Sequence, residues 1–171
     1  MFRWLAKLFI KHACSRHRVY RKGHLHHADG SLYMGRWGLF ETRWLSARLH
    51  YIASDDDDRA MHDHPWPFVS LVLAGGYEEI RPDANDENNW MEQSDGSLVE
   101  AWHSSWRGPG SIAFRRPTDR HIVVGVRPGT FTLFIYGMQR QWWGFYTRTG
   151  KVFWQDYVSS DGSIRAVRGE D

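Results

Sequence analysis

From about residue 31 the chain alternates short apolar and β-branched runs with clusters of glycine, proline, aspartate and asparagine. The runs are SLYMGRWGLF, RWLSARLHYIA, PFVSLVLAGGYEEI, LVEAWHSSW, GSIAFRR, HIVVGVR, TFTLFIYGM, WWGFYTR and KVFWQDYV. Dividing them are SDDDDR, RPDANDENN, QSDGS, RGPG, RPTDR, RPGT and RTGK. Runs of this length, rich in Val, Ile, Phe, Tyr and Trp, predict strands, and the clusters between them predict turns. Nine or so strands with no long helical pattern among them predict an all-β fold, an antiparallel barrel or double-sheet jelly roll. No proline-rich or glycine-serine linker interrupts the series, so residues 31–171 are expected to form one β-barrel domain.

Before that series the pattern differs. MFRWLAKLFIKHACSRHRVYRKG is basic and carries Phe2, Leu5, Leu8 and Phe9 at helical spacing, with Lys7 and Lys11 interrupting the run. Residues 1–30 therefore read as a basic amphipathic extension with a short helix. No uninterrupted apolar stretch in it reaches export or transmembrane length. The expectation is that the helix packs its Phe2, Leu5, Leu8 and Phe9 face onto the domain. A helix lying on a membrane is the alternative, and a membrane partner is not expected.

Composition adds a compact core to this picture: 42% of the 171 residues are apolar and 15% aromatic, with ten tryptophans. Charge adds less. A balance of 22 basic against 20 acidic residues, net +2, gives no case for a nucleic-acid partner, although a pI near 8.8 leaves room for local basic patches. The single cysteine, Cys14, has no internal disulfide partner, and a reducing, cytoplasmic setting is expected. The acidic run Asp55 to Asp58 lacks the alternating ligand spacing of a calcium loop and reads as a solvated turn.

The candidate chemistry lies in residues 61–79, MHDHPWPFVSLVLAGGYEE. On an extended chain His62 and His64 project to one face roughly 7 Å apart, and Pro65 favours an extended His64. Two imidazoles so placed can occupy adjacent corners of one metal's coordination sphere. His24, His26 and His27, in GHLHHADG, read as an exposed loop that binds metal adventitiously.

At this point the chain resembles the cupin superfamily. Its first motif is written G-x5-H-x-H-x3,4-E-x6-G, and counting from His64 the closing glycine falls on Gly75 or Gly76. Its second is G-x5-P-x-G-x2-H-x3-N, and counting from Gly110 the histidine falls on His121. There are departures. Pro117 stands one place late, Thr118 replaces a glycine, Gly125 replaces the asparagine, and Phe68 and Val69 stand where the glutamate belongs. The resemblance covers roughly residues 45–140 and implies an antiparallel double-stranded β-helix. It also implies a three-histidine metal site, His62, His64 and His121, without the usual carboxylate, Glu78 and Glu79 lying beyond the glycine turn. More narrowly, HDHPW, LVLAGGY and WWGFY are similar to uncharacterised cupin-like proteins of bacteria and their phages.

Three neutral imidazoles suit one divalent ion, Fe(II) in the first place, with Ni, Mn, Zn and Cu open on ligand type alone. The site argues against the facial triad of 2-oxoglutarate oxygenases, which needs a carboxylate. Thiol dioxygenases are a better likeness, but their Ser-x-His-x-Tyr relay would fall on Thr132, Phe134 and Tyr136, where the histidine is lost. Tyr136 and His50 are the further candidate catalytic residues, each facing the pocket. Of Arg115 and Arg116, alternation turns at most one inward to hold a substrate carboxylate; Arg120 and Arg127 are further candidates. The late aromatics Trp142, Trp143, Phe145, Tyr146, Phe153 and Trp154 read as core or a homodimer face. The expected function is a metal-dependent dioxygenase of a small organic acid, the same ligands also fitting an isomerase or hydrolase. The rival is a non-catalytic cupin that binds a small molecule or protein.

Overall fold

The computed structural model describes residues 2–16, 23–27, 29–56, 60–83, 90–92, 98–100, 102–147 and 150–161. Of the expected turns, Asp57, Asp58 and residues 84–89, 93–97 and 148–149 lie outside these. The chain opens with helix α1 (Phe2–Arg16), then strands β1 (Leu25–His26), β2 (Leu32–Glu41), β3 (Ser46–Ile52), β4 (Phe68–Ala74) and β5 (Tyr77–Pro82). There follow β6 (Trp90–Glu92), β7 (Leu98–Glu100), β8 (Trp102–Arg107), β9 (Ile112–Arg115) and β10 (Ile122–Val124). Last come β11 (Thr130–Tyr136), β12 (Gly144–Thr147), β13 (Gly150–Phe153) and helix α2 (Trp154–Asp161).

One antiparallel sheet runs β1-β2-β3-β11-β4-β9, and a second runs β10-β5-β8. His62 widens the second sheet, its backbone bridging His121 on one side and Phe145 on the other. The chain therefore alternates between sheets: β3 in the first, residue 62 in the second, β4 back in the first, β5 and β8 in the second. Then β9 lies in the first, β10 in the second and β11 in the first. That winding is the double-stranded β-helix, and it is why distant residues meet in its interior.

Alternation along each strand sorts the side chains. The buried positions of β11 are Thr130, Thr132, Phe134 and Tyr136; those of β9 are Ala113 and Arg115. Strand β3 departs from this rule, with every residue from Ser46 to His50 buried, because α1 covers its outer face. At the expected single run PFVSLVLAGGYEEI the chain makes two strands, crossing from one sheet to the other at Gly75 and Gly76. Gly75 has φ +70°, and a Cβ there would stand 2.5 Å from the Thr130 Cα, so the crossing needs glycine. Thr130 Oγ1 accepts the Gly76 N–H at 2.9 Å and closes the turn.

Three expectations need correcting. Helix α1 docks, but through Ala6, Ile10, Ala13 and Cys14, while Phe2, Leu5, Leu8 and Phe9 stay exposed. Small side chains let the helix axis approach the sheet closely, which the large stripe would prevent. The second half of KVFWQDYV is helical rather than extended. Asp55 and Asp56 do not form a solvated turn: Asp55 accepts the Gly125 and Val126 N–H groups, and buried Asp56 accepts the Val123 N–H and the Tyr33 hydroxyl.

Candidate metal centre

His62 and His64 lie on a short segment before β4, where His62 joins the second sheet by isolated bridges to His121 and Phe145. His62 exchanges both backbone hydrogen bonds with His121 at 3.0 Å, and the His64 N–H donates to Pro117 at 3.2 Å. The intervening Asp63 points away from both and is fully buried. Its carboxylate accepts hydrogen bonds from Gly144 N, Gln141 Nε2, Tyr146 Oη and Lys151 Nζ at 2.6–2.9 Å. Gly144, Tyr146 and Lys151 pin the segment to the β12–β13 hairpin, Gln141 ties it to the chain just before that hairpin, and together they hold the two histidines facing inward.

The expected ligands do converge. One ring nitrogen from each of His62, His64 and His121 lies within 4.8 Å of the others. His64 Nε2 and His121 Nε2 are 2.8 Å apart, close to the roughly 2.9 Å expected for two nitrogens at right angles about a metal 2.0–2.1 Å from each. Burial, then the neighbouring His121 and His62, hold His64 well below its ordinary pKa, so its imidazole is neutral with a lone pair to offer. The donor set fits one divalent ion.

Sequence reasoning missed Glu79. It is not a ligand, but its Oε1 accepts a hydrogen bond from His121 Nδ1 at 3.0 Å. That fixes the His121 tautomer and leaves Nε2 for a metal. Glu79 is almost completely buried and also binds the Arg115 and Arg107 guanidinium groups, the latter at 2.8 Å. Burial acts to raise its carboxyl, but the hydrogen bonds and charge of His121 and Arg115 outweigh it and hold Glu79 ionised, below the usual range. The available signal was positional, since Tyr77, Glu79 and Arg81 alternate on one face of β5 and β5 pairs with β10, next to His121. His62 has a similar neighbour: Asp56 Oδ2 lies 4.0 Å from its Nδ1.

Phe68, at the place of the missing carboxylate, is buried with its ring 4.6 Å from His64 and 4.7 Å from Phe134. Phe68 and Phe134 thus give the histidines apolar neighbours. On the other side Trp143 and Phe145 stand 6.1 and 5.7 Å from His62. They are held by stacking on Trp154 and Tyr157 of α2. Most of the late aromatic cluster is therefore packing around the site, although Trp142 is exposed.

Tyr136 and His50 both face the barrel interior, from β11 and β3. Tyr136 Oη accepts a hydrogen bond from Arg48 Nη2. His50 stacks on Phe134 at 4.9 Å, and Phe134 in turn lies 6.5 Å from His64. Of the candidate arginines Arg115 points inward but is held by Glu79; Arg116 and Arg127 are exposed, and Arg120 lies over Tyr146. Arg48 is a buried arginine that the sequence did not single out. It is buried against Tyr136 and Trp66, its guanidinium carbon 4.3 and 5.7 Å from their rings. The N-terminal histidines are not a loose loop: His24 Nδ1 accepts the Arg36 N–H and His27 Nε2 meets Ser54.

No family model and no curated protein sequence matches the chain. Solved structures do resemble it. The DMSP lyase DddQ from Ruegeria pomeroyi is 18% identical, over 77% of this chain and 60% of the lyase, with a TM-score of 0.49. An RmlC-like cupin from Shewanella frigidimarina is 16% identical over 74% of this chain and 88% of its own, with a TM-score of 0.45. KdgF from Halomonas sp. is 14% identical over 63% and 82%, with a TM-score of 0.44. Each is a likeness of fold.

Proposed function

We propose that the chain is a mononuclear metal-dependent enzyme that holds one divalent ion, Fe(II) in the first place, and acts as a dioxygenase of a small organic acid. The observation that carries this reading is the convergence of His62, His64 and His121, with Glu79 orienting His121. An ion held there supplies Lewis acidity and, as Fe(II), the redox chemistry of a dioxygenase.

The organic acid is suggested by the groups beside Phe134. His50 Nε2 and Trp66 Nε1 are buried and have no hydrogen-bond partner among the described residues. Buried donors left unmatched are costly, and a bound ligand group is one thing that satisfies them. Burial, then Arg48 and Arg36, pushes His50 down to about 3, so it is a neutral imidazole at pH 7. In this reading Arg48 and the Trp66 indole N–H hold a carboxylate, Tyr136 orients the Arg48 guanidinium, and His50 closes the far side. Tyr136 and His50 are then positioning residues. The apolar ring of Phe68 excludes water from the space between this group and the histidines.

The test is metal content by mass spectrometry on full-length protein purified without chelators, beside His62→Ala and His121→Ala, followed by oxygen uptake with a panel of small carboxylic acids. Near-stoichiometric iron that both substitutions abolish, with acid-dependent oxygen uptake that Arg48→Gln weakens through KM, is expected. Metal absent from the wild type, or surviving both substitutions, sinks the reading. Metal retained with no oxygen uptake moves the reaction to isomerisation or hydrolysis.

A further inference from the structure

Helix α1 meets the domain with only one of its apolar faces. Ala6, Ile10, Ala13 and Cys14 lie on the outer face of the six-stranded sheet, against Leu49 and Leu73. Phe2, Trp4, Leu5, Leu8 and Phe9 remain between 37% and 63% exposed. Single exposed apolar residues are ordinary, but five within eight consecutive positions of one short helix form a patch. Exposed Arg3, Lys7 and Lys11, spaced four apart, run along the border between the docked face and Trp4.

Charge divides along the chain in the same place. Residues 1–28 hold seven Lys and Arg and no Asp or Glu, leaving 15 basic against 20 acidic in residues 29–171. The near-neutral total conceals a strongly cationic N-terminal segment on an anionic body.

We propose that the exposed face of α1 docks the protein on a lipid bilayer bearing anionic headgroups. The helix lies in the interface, with Trp4, Leu5, Leu8 and Phe9 toward the acyl chains and Arg3, Lys7 and Lys11 among the headgroup phosphates. Charge argues for this occupant over a second copy of the chain, whose helix would bring its own Arg3, Lys7, Lys11 and Arg16 against the same four cations. The anionic body is repelled by the same surface, which leaves the helix as the contact and sets the orientation. No helix among the described residues is long and apolar enough to cross a membrane, so the attachment is peripheral. The proposal stands independently of the metal centre.

The test is co-sedimentation of the full chain with vesicles of phosphatidylcholine mixed with phosphatidylglycerol, and with phosphatidylcholine alone. Binding is expected to the anionic vesicles, weakened by salt, and lost in a Trp4→Gln/Leu8→Gln variant. Lys7→Gln with Lys11→Gln should weaken it by roughly tenfold or more. These side chains are exposed and leave the docked face intact, so unchanged thermal unfolding verifies that the variants are folded. Wild-type protein that stays in solution with anionic vesicles overturns the proposal, as does binding that both variants retain. So does a lipid-free dimer that Trp4→Gln/Leu8→Gln dissociates, which would make a second copy the occupant.

Discussion

Glu79 ties a histidine to two arginines inside the barrel, and its charge does two separable things. It fixes the proton of His121 on Nδ1, and it neutralises Arg115 and Arg107. Glu79→Gln keeps the shape but removes the anion, so metal affinity should fall by about 10–100-fold, as for other carboxylates that orient a ligating histidine. A competition titration with a chromogenic chelator measures it, and unchanged affinity would mean that Glu79 serves the arginines alone. His50 sets a pH dependence. Unfolded it titrates near 6.5 and folded at about 3. Between those values the unfolded chain binds a proton that the folded chain does not, so the contribution is complete above pH 6.5 and is lost as pH falls. Stability by urea unfolding should fall more steeply from pH 7 to pH 4 in the wild type than in His50→Gln; parallel slopes would assign the acid sensitivity elsewhere. At this scale the sequence was legible at His62 and His64 through their own spacing, and at His121 through the resemblance to a family motif. Glu79 and Arg48 were not legible, because their roles depend on which strand lies opposite, and that is set by pairing.

The α1 helix shows what pattern leaves open at the scale of an element. Its sequence carries two apolar stripes, a small one through Ala6, Ile10 and Ala13 and a large one through Phe2, Leu5 and Phe9. Hydropathy favours the large stripe for burial, yet the contact is made by the small one, since Ala13 is fully buried against the sheet. Close approach of helix and sheet decides it. Ala13→Leu should therefore destabilise the fold by about 1–3 kcal/mol through overpacking. Leu8→Gln on the exposed stripe should stay within about 0.5 kcal/mol. Urea unfolding of the two variants tests this, and a larger loss from Leu8→Gln would mean that the large stripe carries the docking. Strands were easier to read, because β2, β3 and β11 are runs bounded by turn residues. The helical turn after Phe153 was not, because it follows a strand without a break.

In the whole molecule the winding of the chain makes the site. His62 and His64 are separated from His121 by more than fifty residues, and only alternation between sheets sets them side by side. The double-stranded β-helix was implied by the resemblance to two family motifs, matched at His62, His64, Gly75 or Gly76, Gly110 and His121. The pairing of the β12–β13 hairpin with residue 62, anchored by Asp63, was not, because nothing local marks Asp63 as buried. In the proposed reading metal binding and folding are one equilibrium: the three histidines come together only in the folded chain, so an ion bound there would stabilise it. At a free metal concentration 100 times the dissociation constant the gain is about 2.7 kcal/mol. For a chain of this size each kcal/mol moves the unfolding midpoint by about 2–4 °C. Loading the chelator-stripped protein should thus raise its midpoint by about 5–11 °C, and His121→Ala should not respond. An equal rise in His121→Ala would place the stabilising ion away from the three histidines, at the N-terminal His24 and His26 or elsewhere.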